Sequence, residues 1–172
     1  MRERKPPRGI RFGTCLRLLL VSVSLAAAAS APAASAADKV TVKGHITTAA
    51  DLNPDYRGRP SPVALIVFQL KSADAFKNAD FFALYDPDTT VLGGDLIARS
   101  QRILQPGQSL DIEEEFDEGT RFIGFVAAFR DIEHAQWRGL VELPQKGFFK
   151  NLFSRSKLLI DLKALEVAAR IE

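Results

Sequence analysis

"VALIVFQL", residues 63–70, decides the fold. Only Gln69 interrupts the apolar run, and Val63, Ile66, Val67 and Phe68 are β-branched or aromatic, so both faces of an extended segment would be apolar. That is the signature of a strand covered from two sides. Immediately downstream, "KSADAFKNADFFALYDPDTTVLGG" (71–94) changes period: Phe76, Phe81, Phe82, Leu84 and Tyr85 fall closer to helical than to alternating spacing. Ser72 can cap, Asp86-Pro87 breaks the run, and Gly93-Gly94 reads as a break after a helix. One or two short helices are predicted there.

Working outward, "KVTVKGHITTA" (39–49) puts Val40, Val42, Gly44 and Ile46 on one face and Thr41, Lys43 and His45 on the other, a half-buried strand. Between it and residue 63 lies a long loop with Pro54, Pro60 and Pro62, each barring regular ladder pairing. Beyond Gly94, "RILQPGQSLDIEEEF" (102–116) carries a Pro106-Gly107 turn, after which Leu110, Ile112, Glu114 and Phe116 face opposite to Asp111, Glu113 and Glu115. "RFIGFVAAFRD" (121–131) is a second strongly apolar strand, "IEHAQ" an irregular or helical excursion, and "WRGLVEL" (137–143) another strand. "LLIDL" and "LEVAARI" can pair as a terminal hairpin, although the Ala, Leu and Glu of the last stretch also favour a helix. Seven or eight short strands with one helical insertion predict an all-β, two-sheet β-sandwich.

The N-terminus stands apart by composition. Six basic residues between Arg2 and Arg17 precede an apolar run, Leu18 to Ala29, and Ala34-Ser35-Ala36 matches a small-residue cleavage site. The run is too short to span a bilayer, which needs roughly 20 residues, so residues 1–36 read as an export signal and residues 37–172 as the folded domain. Removing the signal takes six of the 23 Lys and Arg and one of the 21 Asp and Glu, leaving a net charge of −3. An acidic domain asks for no nucleic acid. The single cysteine, Cys15, goes with the signal, which excludes a disulfide framework and a thiolate metal site.

Enzyme motifs are missing: there is no G-x-S-x-G, no Walker loop and no G-x-G-x-x-G. Neither His45 nor His134 has a second plausible ligand nearby in sequence, so no catalytic residue, metal ligand or cofactor is expected. The run "DIEEEFDE" (111–118) splits across two strand faces and does not match a calcium loop; it reads as a solvated face that protects a sheet edge. "KGFFKNLFSRSK" (146–157) interleaves Phe148, Phe149 and Phe153 with four cations, which suits a membrane interface or a partner groove. The competing reading folds those rings back onto the sandwich edge.

Read in order, Asn53-Pro54, Gly58-Arg59-Pro60-Ser61-Pro62, Gln69-Leu70, Phe76, Ala79-Asp80-Phe81, Leu84, Leu92-Gly93, Asp95-Leu96, Leu104, Pro106-Gly107, Gly124, Ala128-Phe129-Arg130 and Trp137-Arg138 resemble the TssJ (SciN) family. These are outer-membrane lipoproteins of the type VI secretion system. The resemblance implies a transthyretin-like sandwich and a non-enzymatic role: docking on the periplasmic C-terminal domain of the inner-membrane protein TssM and, through it, association with TssL. It also implies that the loop between the first two strands makes the contact. Here that loop is residues 49–62, with Asp51, Asn53, Asp55, Tyr56, Arg57 and Arg59 as the groups able to face a partner. Its prolines limit the entropy lost on docking, and Tyr and Arg are the residue types that dominate interface energetics. Alternatively, Asn53-Pro54 and Arg59-Pro60 merely set the backbone of a turn.

The chain departs from the family at one point. A lipoprotein needs a lipid-accepting cysteine just after the apolar run, and residues 25–37 contain none. The expectation is a periplasmic domain held at the outer membrane through its partner or through the Phe-rich loop. A different class of function, a periplasmic carrier of a small apolar ligand, would need a lined cavity between the sheets.

Overall fold

Among the described residues, eight strands form two four-stranded sheets, ordered β4-β1-β7-β8 and β3-β2-β5-β6. They are β1 (Lys39–Thr48), β2 (Val63–Leu70), β3 (Leu96–Leu104), β4 (Ser109–Asp117), β5 (Phe122–Ala127), β6 (Arg138–Glu142), β7 (Leu158–Leu162) and β8 (Val167–Ile171). The computed structural model describes residues 39–88, 90–143 and 157–172, all within the unit Ala36–Glu172. Neighbouring strands run antiparallel except β1 and β7, which pair in parallel with Ile46 opposite Ile160. The C-terminal stretch is therefore strand, the second half of a hairpin with β7.

The two faces of β2 enter different cores. Val63, Leu65 and Val67 point between the sheets, where they meet Val42, Ile46, Ile123, Phe125, Leu158 and Ile160. Ile66, Phe68 and Leu70 point outward into a second cluster with Phe76, Phe81, Leu84, Leu92 and Val126. The helical insertion supplies that second cover: α1 (Asp74–Asn78), α2 (Phe81–Tyr85) and a 3-10 segment (Thr90–Asp95) lie over the outer face of the sheet. Fully burying such side chains is worth roughly 1.5–3 kcal/mol each. Among the described residues, aliphatic and aromatic side chains pack together between the sheets.

Local chemistry explains the insertion's punctuation. The Asp80 side chain accepts from the Ala83 N–H at 2.9 Å and starts α2. Ser72 sits one residue before the N-cap of α1, Ala73, and its hydroxyl accepts only a long 3.3 Å bond from the Asp74 N–H. Gly93, at φ 48°, breaks the 3-10 segment into two short helical pieces, the break that Gly93-Gly94 announces in the sequence. Arg138 of β6 donates to the carbonyls of Phe76 (2.8 Å) and Ala79 (3.0 Å), pinning the end of α1 to the sheet.

The Gln105–Gln108 turn carries the chain from β3 in one sheet to β4 in the other. Thr48 holds it there: its hydroxyl donates to the Gln105 carbonyl at 2.6 Å and accepts from the Gln108 N–H at 2.7 Å. Side chains link the two sheets along this seam. Gln69 donates to the Glu115 carbonyl and accepts from the Asp117 N–H, while Arg102 pairs with Glu114. On the opposite seam the link is backbone: the Gln136 N–H donates to Leu165 and the Val167 N–H to Gln136.

Candidate functional site

The β1–β2 loop, residues 49–62, is tied to the sandwich before it projects from it. Ala49 donates to the Leu162 carbonyl and accepts from the Gly107 N–H. Leu52 is fully buried among the inter-sheet residues. Asn53 is 2% exposed and takes a left-handed backbone at φ 48°, which Asn tolerates better than most residues. Its N–H donates to the Ala164 carbonyl, its amide nitrogen to the Pro62 carbonyl at 2.7 Å, and its amide oxygen accepts from the Arg130 N–H at 2.8 Å. Asn53 thus sits in the loop's frame, joining three separate segments, while Asp51 is exposed beside it.

Beyond that frame the loop folds on Asp55. One carboxylate oxygen accepts from the Arg57 N–H (2.8 Å) and the Arg59 N–H (3.0 Å); the other takes the Arg59 Nε and Nη2 at 2.8 and 2.7 Å. Both guanidinium nitrogens converge on that single oxygen, and charge-assisted bonds of this kind are the strong ones. The Arg59 N–H, and then its guanidinium, hold the Asp55 carboxyl below its ordinary value. The chain reverses through Gly58 at φ 77°, whose N–H donates to the Asp55 carbonyl. Folding on Asp55 pushes Tyr56 outward until it is 87% exposed, with the Arg57 guanidinium 5.1 Å from its ring centre. Asp55 and Arg59 are therefore spent on the loop, and Tyr56 and Arg57 form its tip.

Two shallow depressions flank the tip. One is lined by Pro54, Asp55, Tyr56, Arg130, Asp131 and Leu165, the other by Asp55, Tyr56, Arg59, Pro60, Ser61 and Arg130. Asp55, Tyr56 and Arg130 belong to both. Arg130 and Asp131 come from the β5–β6 connection and Leu165 from the β7–β8 turn, so the site is built from three connections at one end of the sandwich. Sequence reasoning named Arg130 within Ala128-Phe129-Arg130 but gave it no role. Nothing local marks a residue that is bonded to the loop from another connection, through Asn53.

The remaining candidates separate cleanly. His45 does have partners: its Nδ1 lies 2.8 Å from Asp111 Oδ1 and its Nε2 2.9 Å from Ser109 Oγ, across the β1–β4 ladder. Strand register brings them together from more than 60 positions away, which proximity in sequence cannot reveal. The three lie on an open strand face, with the Asp111 side chain 91% exposed. His45 also holds the Asp111 carboxyl below its ordinary value. Next to it, Lys43–Glu113 and Lys39–Glu115 make the acidic run a row of cross-strand ion pairs. His134 meets Asp131 at 2.8 Å, and that carboxylate raises the imidazole pKa. Among the described residues no three His, Cys, Asp or Glu side chains are grouped to hold a metal, and no helix is long and apolar enough to cross a membrane. Phe148, Phe149 and Phe153 lie outside the described residues.

Residues 40–165 match the family model T6SS-SciN, described as type VI secretion lipoprotein, VasD, EvfM, TssJ. No curated protein matches the chain. Among solved structures, the T6SS lipoprotein TssJ1 from Pseudomonas aeruginosa is 36% identical, covering 78% of this chain and 98% of that one with a TM-score of 0.69. Serratia marcescens Lip, a membrane-bound component of the type VI secretion system, is 24% identical over 76% of this chain and 96% of its own, TM-score 0.67. A chain in the structure of the T6SS protein TssM C-terminal domain (869–1107) from EAEC is 25% identical, covering 76% of this chain and 97% of that one, TM-score 0.59.

Proposed function

Because the chain belongs to the TssJ (SciN) family of type VI secretion lipoproteins, we propose that it is a non-enzymatic structural part of the secretion membrane complex. Its β1–β2 loop docks on the periplasmic C-terminal domain of TssM, and TssM connects it to TssL. The observation that carries this reading is the loop itself: a segment bonded to three other connections that nevertheless presents an 87% exposed tyrosine and an arginine. A large exposed aromatic on a rigid frame loses little entropy when it is buried by a partner. The matching chain in the TssM C-terminal domain structure adds support.

Titration calorimetry of the protein with a periplasmic TssM fragment tests the docking. Tyr56→Ala combined with Arg57→Ala should weaken binding by about 2 kcal/mol or more, the range of interface hot spots. Unchanged affinity would remove the loop from the interface.

The location that accompanies this role is the periplasmic side of the outer membrane. Residues 1–36 direct export, and the domain is held in place through TssM, with Phe148, Phe149 and Phe153 as a second point of contact with membrane or partner. N-terminal sequencing and intact mass of the protein recovered from the envelope check this. An acylated N-terminus would overturn the partner-held reading. For the phenylalanines, equal pelleting with liposomes after change of all three to Ser would remove the membrane version.

A further inference from the structure

We propose that Arg130 is the anion-receiving residue of this docking surface and that the partner segment seated beside Tyr56 presents a carboxylate to it. This rests on the docking reading above and adds the chemistry of what docks. Most described arginines are already engaged. Arg59 pairs with Asp55, Arg102 with Glu114, and Arg170 with Asp161 and Glu172; Arg138 and Arg99 donate to backbone carbonyls, and Arg57 lies over Tyr56.

Arg130 combines two features that no other described arginine has together. Among the described residues its guanidinium has no ion-pair or hydrogen-bond partner, while its backbone N–H is fixed by Asn53 at 2.8 Å. It also lines both depressions beside Tyr56. The Arg121 side chain likewise makes no bond among the described residues but belongs to the other end of β5, lining neither depression. The acids around Arg130 are already occupied: Asp55 by the Arg59 fork and Asp131 by His134. A guanidinium that makes no direct bond of its own, acting on Asp55 only through its charge, with a held backbone in a concave wall beside an exposed ring, suits a carboxylate bonded edge-on while its neighbour packs on the tyrosine. A TssM segment pairing an acidic with an apolar or aromatic side chain has that chemistry.

The test measures Kd for the TssM periplasmic fragment at several salt concentrations, for the native protein, Arg130→Gln and Tyr56→Ala, with thermal melts confirming that all three fold alike. Arg130→Gln should weaken binding about tenfold, the loss of one charge-assisted hydrogen bond, and should flatten the salt dependence. Tyr56→Ala should weaken binding and leave the salt slope as it was. Arg130→Lys should recover the slope more fully than the affinity, because an ammonium lacks the planar fork. If Arg130→Gln changes neither quantity while Tyr56→Ala still weakens binding, the carboxylate inference is overturned and the docking reading stands. Weakening by Arg130→Gln with an unchanged salt slope also overturns it, since the contact would not be ionic. If no loop variant matters, the docking reading fails and takes this inference with it.

Discussion

Gly124 shows how one position constrains the packing of the insertion on the sheet. A Cβ built on it would lie 2.6 Å from Cζ and 2.7 Å from Cε2 of Phe76, whose ring is fully buried against Phe68. The ring has no free direction to yield, so Gly124→Ala should destabilise the fold by about 1–3 kcal/mol, the usual cost of overpacking, measured by urea denaturation. Asn53 holds a comparable place in the loop. Asn53→Ala removes both side-chain bonds and leaves the Pro62 carbonyl and Arg130 N–H short of partners, each loss costing about 1–3 kcal/mol if the group stays buried. Its melting temperature should fall and TssM binding weaken with it, whereas Tyr56→Ala should leave the melting temperature unchanged. That contrast separates frame from tip. From sequence the two roles were indistinguishable, because Asn, Asp and Arg in a proline-rich loop serve equally as structure or as contact until burial is known.

At the scale of elements, the strand pattern was legible and the sheet membership was not. The two apolar faces of β2 announced double cover, and alternation in β4 placed Ile112 and Phe116 inward. Pro106-Gly107 announced a turn, yet not that β3 and β4 would lie in different sheets, because turn chemistry reverses the chain locally while pairing is decided by distant segments. The β5–β6 connection was equally opaque as part of the site: Arg130 and Tyr56 are neighbours only after both sheets have formed. In that connection His134 should titrate above its ordinary value of 6.5, and Asp131→Asn should bring it back down, as read from imidazole proton shifts. The sign follows from the raised value. The pair's contribution is fully present below the unfolded pKa and is lost as pH rises through the folded one. Asp55 behaves oppositely: its contribution is in place above its unfolded pKa and is lost only as pH falls through a folded value that lies lower still. Near neutral pH the loop's carboxylate fold is therefore insensitive to acidity.

For the whole molecule, two hydrophobic clusters share two strands, since β2 and β5 each send one face into either cluster. The sole tryptophan, Trp137, packs partly against both. Unfolding of the helical insertion and of the sandwich should therefore be one event, with tryptophan fluorescence and far-ultraviolet circular dichroism giving coincident urea transitions. Separate midpoints would mean that the insertion melts from the sheet independently. The parallel pairing of β1 with β7 carries a further consequence, one of timing. The first strand to emerge from the ribosome has an interior partner that lies more than 110 positions later, so its sheet stays incomplete until residues 158–162 have been made. Such long-range pairing slows folding, and a chain kept unfinished in this way remains threadable for as long as it is being synthesised. For a protein proposed to be exported, the order of its strands is itself a delay against folding before export.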